Sequence, residues 1–142
     1  MRAAVLLLDG DTIALIERLR GGLRYYLFPG GGVEAGETPE DAAARETNEE
    51  LGLEIEIVRL IARARFSGVE QRYYLARATG GRWGTGHGEE MTGTHRPERG
   101  SYRAVRWPVA RLTEIDLRPA ALGLLVRQAI ASGWPAEVTD VS

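Results

Sequence analysis

The sequence contains no cysteine and no lysine, and only two histidines. Without cysteine there is no disulfide, no thiolate metal site and no cysteine nucleophile. Without lysine there is no Gly-Lys-Ser/Thr phosphate loop. All 18 basic residues are arginine. Arginine forks suit phosphates, but a chain-wide loss of lysine reads as compositional bias rather than as a site. Long apolar runs are missing too. Ala3 to Leu8 stops at Asp9, too short for a signal peptide's apolar region with a cleavage site and far too short to span a bilayer. The chain therefore reads as cytoplasmic. Excess positive charge is also lacking: the net charge of −2 argues against a nucleic-acid coat or a membrane-surface binder.

What is present is ordinary for a globular protein. At 142 residues, 44% hydrophobic and 27% charged, the chain fits one domain over residues 1–142, with enough length to bury a core. Residues 2–8 and 12–19 read as strands around the turn Asp9-Gly10-Asp11, and Leu23 to Phe28 alternates as a third. Pro29 to Glu37 is a loop by composition. Thr38 to Leu51 has the strongest helix punctuation: Thr38 as N-cap, Pro39 at the first helical position, Asp41 completing the cap and Gly52 as the stop. Leu53 to Phe66 and Val69 to Thr79 read as long strands joined at Ser67-Gly68. Residues 80–100 are glycine-rich and polar, a loop long enough to be functional. Tyr102 to Trp107 reads as a strand. Ala120 to Ala131 forms an amphipathic helix with Leu122, Leu125, Val126, Ala129 and Ile130 on one stripe. Strands interspersed with two helices predict one layered α/β domain.

The first helix ends in an acidic crowd. At ~100° per residue, Glu46, Glu49 and Glu50 fall within an arc of about 100°. Glu46 and Glu50 form a like-charge i,i+4 pair, and anions near a helix C-terminus oppose its dipole. Arg45, four residues before Glu49, relieves only part of that. Two readings follow. One is a solvated acidic face, at a cost of a few tenths of a kcal/mol per pair. The other is a site for a hard divalent cation, for which clustered oxygen ligands are suited. What surrounds the helix decides between them.

From Gly31 the sequence runs Gly31-x5-Glu37-x7-Arg45-Glu46-Thr47-x-Glu49-Glu50-x-Gly52-Leu53. This resembles the Nudix box, G-x5-E-x7-R-E-U-x-E-E-x-G-U, with U a large aliphatic residue, and departs from it only at Thr47. The lead-in from Tyr25 to Ala43 resembles the family as well. The resemblance implies an α/β Nudix-type α/β/α sandwich with a mixed β-sheet between helices. It implies Mg²⁺, or Mn²⁺, held by Glu46, Glu49 and Glu50 with a backbone carbonyl near Gly30-Gly31. It further implies an ion pair between Glu37 and Arg45 that ties loop to helix. The implied reaction is hydrolysis of a nucleoside diphosphate linked to another group, by in-line attack of an activated water. Consecutive glycines at Gly30, Gly31 and Gly32 let backbone approach a diphosphate closely. The formal G-x-G-x-x-A from Gly30 to Ala35 is not a dinucleotide fingerprint, because several residues and Pro39 separate it from the helix. Glu49 within the box, or Glu89, Glu90 or Glu98 in the loop, are candidates to take the water's proton, with Glu90 and Glu89 favoured among the loop acids. Thr47 nearly keeps valine's shape but adds a hydroxyl that wants a partner.

The substrate is less legible. Tyr25, Tyr26, Phe28, Phe66, Trp83 and Tyr102 are candidates to stack a nucleobase, with Trp83 the most suggestive because it lies in the glycine-rich loop. Arg18, Arg96 and Arg99 are candidates to grip phosphate or ribose. His87 and His95 lack metal-ligand spacing and read as loop histidines. Gly68 stands where an ADP-ribose subfamily has proline, and Val69 to Gln71 stand where a dinucleoside-polyphosphate subfamily has tyrosine. The expectation is thus a magnesium-dependent pyrophosphohydrolase acting on a small nucleotide-type diphosphate, with a role in nucleotide-pool housecleaning in view. Neither nucleic acid nor membrane is an expected partner, and the family's frequent dimers leave a homodimer open. The rival is the same fold used as a nucleotide or metabolite sensor without turnover.

Overall fold

The computed structural model describes residues 1–86 and 100–141. Arg2–Asp9 (β1) and Thr12–Arg20 (β2) pair antiparallel across the Gly10 turn, with Leu8 opposite Ile13. Leu23–Leu27 (β3), Gly30–Gly32 (β4), Leu53–Phe66 (β5), Val69–Gly81 (β6), Ser101–Pro108 (β7), Leu117–Arg118 (β8) and Thr139–Asp140 (β9) complete a mixed sheet. Its order is β8-β3-β2-β1-β6-β5-β9, with β4 on the free side of β1 and β7 on β2. Pro39–Leu51 (α1) packs on β1, β4 and β5, whereas Ala120–Ser132 (α2) packs on β8 and on a 3₁₀ helix, Val109–Glu114.

The sequence of β1 explains the layering. Side chains on a strand alternate between faces. Ala3, Val5 and Leu7 enter the cluster beneath α1, while Ala4 and Leu6 enter the cluster that includes Leu122, Leu125 and Val126 of α2. A strand covered on both faces reads as an unbroken apolar run rather than an alternating one. β2 repeats the division, with Ile13 and Leu15 on one side and Ala14 and Ile16 on the other. The result is the α/β sandwich expected from the resemblance. Among the described residues no helix is long and apolar enough to cross a membrane.

Two expectations are corrected. The triple glycine, expected wholly within a loop, forms β4, paired antiparallel with β1 through Gly32–Arg2, Gly31–Ala3 and Gly30–Ala4. Glycines carry no side-chain periodicity, so the strand is dictated by its partner. Ile130, expected on the buried stripe of α2, is 50% exposed. It lies about 80° round from Leu122 at ~100° per residue, at the edge of the buried arc and in the last turn.

Candidate active site

The helix that carries the acids is fastened at both ends. The Asp41 N–H donates to Thr38 Oγ1 at 3.1 Å, and Gly52 adopts a left-handed φ of 79° while its N–H closes on the Asn48 carbonyl. Thr47 is fully buried and its hydroxyl donates to the Ala43 carbonyl at 2.7 Å, which satisfies the group the sequence left without a partner. The Glu37–Arg45 pair is formed as the resemblance implied. Arg45 Nε lies 2.8 Å from Glu37 Oε2 and Nη2 lies 3.1 Å from Oε1, a two-pronged bond. Nη2 also donates to the Gly32 carbonyl at 3.1 Å, and Nη1 reaches Glu46 at 3.2 Å and Glu49 at 3.4 Å. One guanidinium thus joins the loop, the glycine strand and the acids. The hydrogen bond to Glu37 pushes the Arg45 pKa up, and Glu46 and Glu37 add to it electrostatically. Glu37 moves the other way, lowered by its bond from Arg45 and then by the Glu34 N–H.

Facing the helix, β4 is pressed against the acids. The Gly30 N–H donates to Glu50 Oε1 at 2.8 Å, and Glu50 is buried. A Cβ at Gly31 would press against the Glu46 carboxyl group, and one at Gly30 would strike the backbone of Ala3 and Ala4. Glycine is required here for close approach. Side-chain exposure is 14% for Glu46 and 33% for Glu49, so the acids do not form a uniformly wetted face.

Gly30, Gly31, Gly32, Glu46 and Glu50 line a cleft of about 860 Å³. Its walls include Arg2, Arg18, Phe28, Phe66, Arg72, Tyr73, Tyr102, Arg118 and Val141. The Arg18 guanidinium stacks 4.1 Å over the Tyr102 ring, and Phe28 meets Tyr73 edge-on at 5.9 Å. Burial pushes the Tyr73 phenol up to about 12.

A family model described as the NUDIX domain matches residues 1–128. The chain belongs to the Nudix family. An RNA pyrophosphohydrolase from Methylococcus capsulatus is 38% identical over 60 residues, 42% of this chain and 31% of that protein. The match to that curated relative therefore spans less than a third of its length. Among solved structures, a NUDIX hydrolase from Nitrosomonas europaea has a TM-score of 0.71 at 18% identity, covering 98% of this chain and 76% of that one. An ADP-ribose pyrophosphatase from Streptococcus suis has a TM-score of 0.68 at 18% identity, covering 98% and 96%. These structural likenesses carry the fold.

Within this Nudix fold, the structure brings together two of the three expected ligands. Glu46 and Glu50 line the cleft beside the glycines, whereas Glu49 is not part of its lining and lies against Arg45. Among the described residues no three Asp, Glu or His side chains gather around one point. The donors nevertheless suit a hard divalent cation: two largely buried carboxylates beside backbone, in a cradle that a Cβ at Gly31 would fill. Trp83 is not in the cleft lining; it packs against the cluster beneath α1, with the Arg106 guanidinium 4.1 Å over its ring. Of the other stacking candidates, Phe28, Phe66 and Tyr102 line the cleft, Tyr26 bonds to buried Glu17, and Tyr25 lies under Arg118. Glu89, Glu90, Glu98, His87, His95, Arg96 and Arg99 lie outside the described residues. Sequence reasoning missed Arg2, Arg72, Tyr73 and Val141. Tyr73 had a signal in its aromatic character, but nothing in the linear pattern aims the other three at one cleft.

Proposed function

We propose that this Nudix protein is a divalent-metal-dependent pyrophosphohydrolase that cleaves a nucleoside diphosphate linked to another group. The observation that carries this reading is the meeting of Glu46 and Glu50 with the Gly30–Gly32 backbone in one cleft. A binding groove alone has no use for two carboxylates crowded where a diphosphate would lie, because they repel it. Holding a divalent cation, they would become its anchor.

Glu46 and Glu50 would hold Mg²⁺ or Mn²⁺, with Glu49 and the Gly31 backbone as further candidate ligands. When bound, the cation supplies polarisation of the phosphoryl oxygens and a lowered pKa for the attacking water. The residues of the chain do the rest. The bare glycine backbone admits the diphosphate at close range. Arg45, tied to Glu37 and the Gly32 carbonyl, fixes the helix against the glycine strand. Glu49, or Glu90 outside the described residues, takes the water's proton. Arg18 stacked on Tyr102, with Phe28 and Phe66, offers planar surface for a base. The relatives' names add ADP-ribose and RNA to the candidate substrates, and the net negative charge favours the small molecules among them. Cytoplasmic location and a homodimer are part of the proposal, checked by fractionation and sedimentation.

The test is a panel of nucleoside triphosphates, oxidised deoxynucleotides, nucleotide sugars, ADP-ribose, dinucleoside polyphosphates and a 5′-triphosphorylated oligonucleotide, each with Mg²⁺ or with EDTA. Cleavage confined to the Mg²⁺ arm and lost in Glu46→Gln/Glu50→Gln is the expected result. Cleavage that survives EDTA, or a double variant at the wild-type rate, contradicts the mechanism. Binding across the panel without cleavage makes the protein a sensor instead.

A further inference from the structure

Five strands run side by side in the order β4, β1, β6, β5 and β9. Their registers align a single row across this part of the sheet. Gly32 is opposite Arg2, Arg2 is opposite Gln71, and Gln71 is opposite Ala64. Val141 extends the row. Asp140 is level with Arg63, and the Val141 N–H donates to the Arg63 carbonyl at 2.8 Å, which sets Val141 beside Ala64. Residues paired in register project from the same face of the sheet. Four strand steps of about 4.8 Å place Val141 about 19 Å from the glycine strand.

Along that row the chemistry changes. It starts at Gly32, whose neighbour Gly31 faces the Glu46 carboxyl group, passes the polar Arg2 and Gln71, and ends on buried Ala64 and on Val141. Phe66, two residues beyond Ala64 and so on the same face, lines the cleft at this apolar end together with Val141. The approach to β9 is anchored: Trp134 and Val141 pack against the cluster beneath α2, and Arg59 donates to the Pro135 carbonyl. β9 also covers the edge of β5, which would otherwise offer unpaired backbone.

We infer that β9 sets the length of the cleft, and that Val141 is a specificity-determining residue closing its far end against the group beyond the substrate's pyrophosphate. The inference rests on the proposed placement of the diphosphate at the glycine end. The substrate class it names carries one nucleoside on the pyrophosphate, and the second nucleoside of a dinucleoside polyphosphate runs into the Val141 wall.

Three ligands of graded length test this with the full chain and Mg²⁺, by calorimetry: inorganic pyrophosphate, ADP and diadenosine tetraphosphate. Val141→Trp shortens the row, so diadenosine tetraphosphate binding weakens about tenfold while ADP and pyrophosphate stay within about twofold. Val141→Gly lengthens it, so diadenosine tetraphosphate gains on ADP by about fivefold or more; this arm also serves where tryptophan disturbs β9. Equal shifts for all three ligands, no shift for any, or a wild-type protein that binds none of them overturns the inference. Length-dependent binding without cleavage of the panel sinks the hydrolase reading and leaves the inference standing. Cleavage with length-independent binding does the reverse.

Discussion

The two helices have the same length, 13 residues each, and hold their places by opposite means. α2 buries Leu122, Leu125, Val126 and Ala129 and begins at Pro119 with no side-chain cap. Its position follows from the hydrophobic effect. α1 buries Ala42, Ala43 and Leu51, but also Thr47 and Glu50. It is held by a side-chain cap, a left-handed glycine, the Arg45 network and the bond from Gly30 to Glu50. A helix placed only to fill a core would not bury a carboxylate, since an ionised group out of water is costly without compensation. The difference agrees with the site proposed on α1, with α2 packed mainly as support.

Substitutions that exchange these roles break the comparison. Leu122→Ala in α2 removes a fully buried side chain and is expected to cost about 2–5 kcal/mol of stability, read by urea unfolding, with turnover per folded molecule retained. Glu50→Gln in α1 should give the reverse. Glutamine keeps an oxygen to accept the Gly30 N–H, so the unfolding midpoint changes little while turnover falls at least about 100-fold. If the two variants share one profile, the division of labour is wrong. Thr38→Ala, which deletes the cap of α1, is expected to cost about 1 kcal/mol by the same unfolding measurement.

A smaller effect lies in acid. The Arg45 bond, followed by the Glu34 N–H, lowers the Glu37 pKa in the fold. A depressed carboxylate stabilises fully above its unfolded value of about 4.3 and loses that contribution as pH falls through the folded value. Stability measured from pH 6 down to pH 3 should therefore fall more steeply below about pH 4 in the wild type than in Glu37→Gln. Parallel curves would show that the pair does not couple α1 to its loop.

Much of this was legible in the sequence because it rests on local rules. Thr38, Pro39 and Gly52 bound α1 through cap chemistry, and the strands from β1 to β7 are visible in their apolar runs or alternation, β4 excepted. What was hidden depends on neighbours distant in sequence. β4 has no side chains to show a period and exists through β1 and Glu50. β8 and β9 are two residues each, too short for any pattern, and it is β9 that brings Val141 to the cleft. Helical spacing grouped Glu46, Glu49 and Glu50 on one arc, but could not show that Glu46 and Glu50 line the cleft beside the glycines while Glu49 does not. Trp83 looked available from its loop, yet Arg106 and the cluster beneath α1 claim it.

Direct binding of Mn²⁺, followed by electron paramagnetic resonance on wild type, Glu46→Gln, Glu50→Gln and the double variant, tests the central assignment most directly. The account predicts stoichiometric uptake by the wild type, weakened about tenfold or more by either single change and abolished by both. Uptake that is the same in all four proteins would mean that Glu46 and Glu50 are not the anchor.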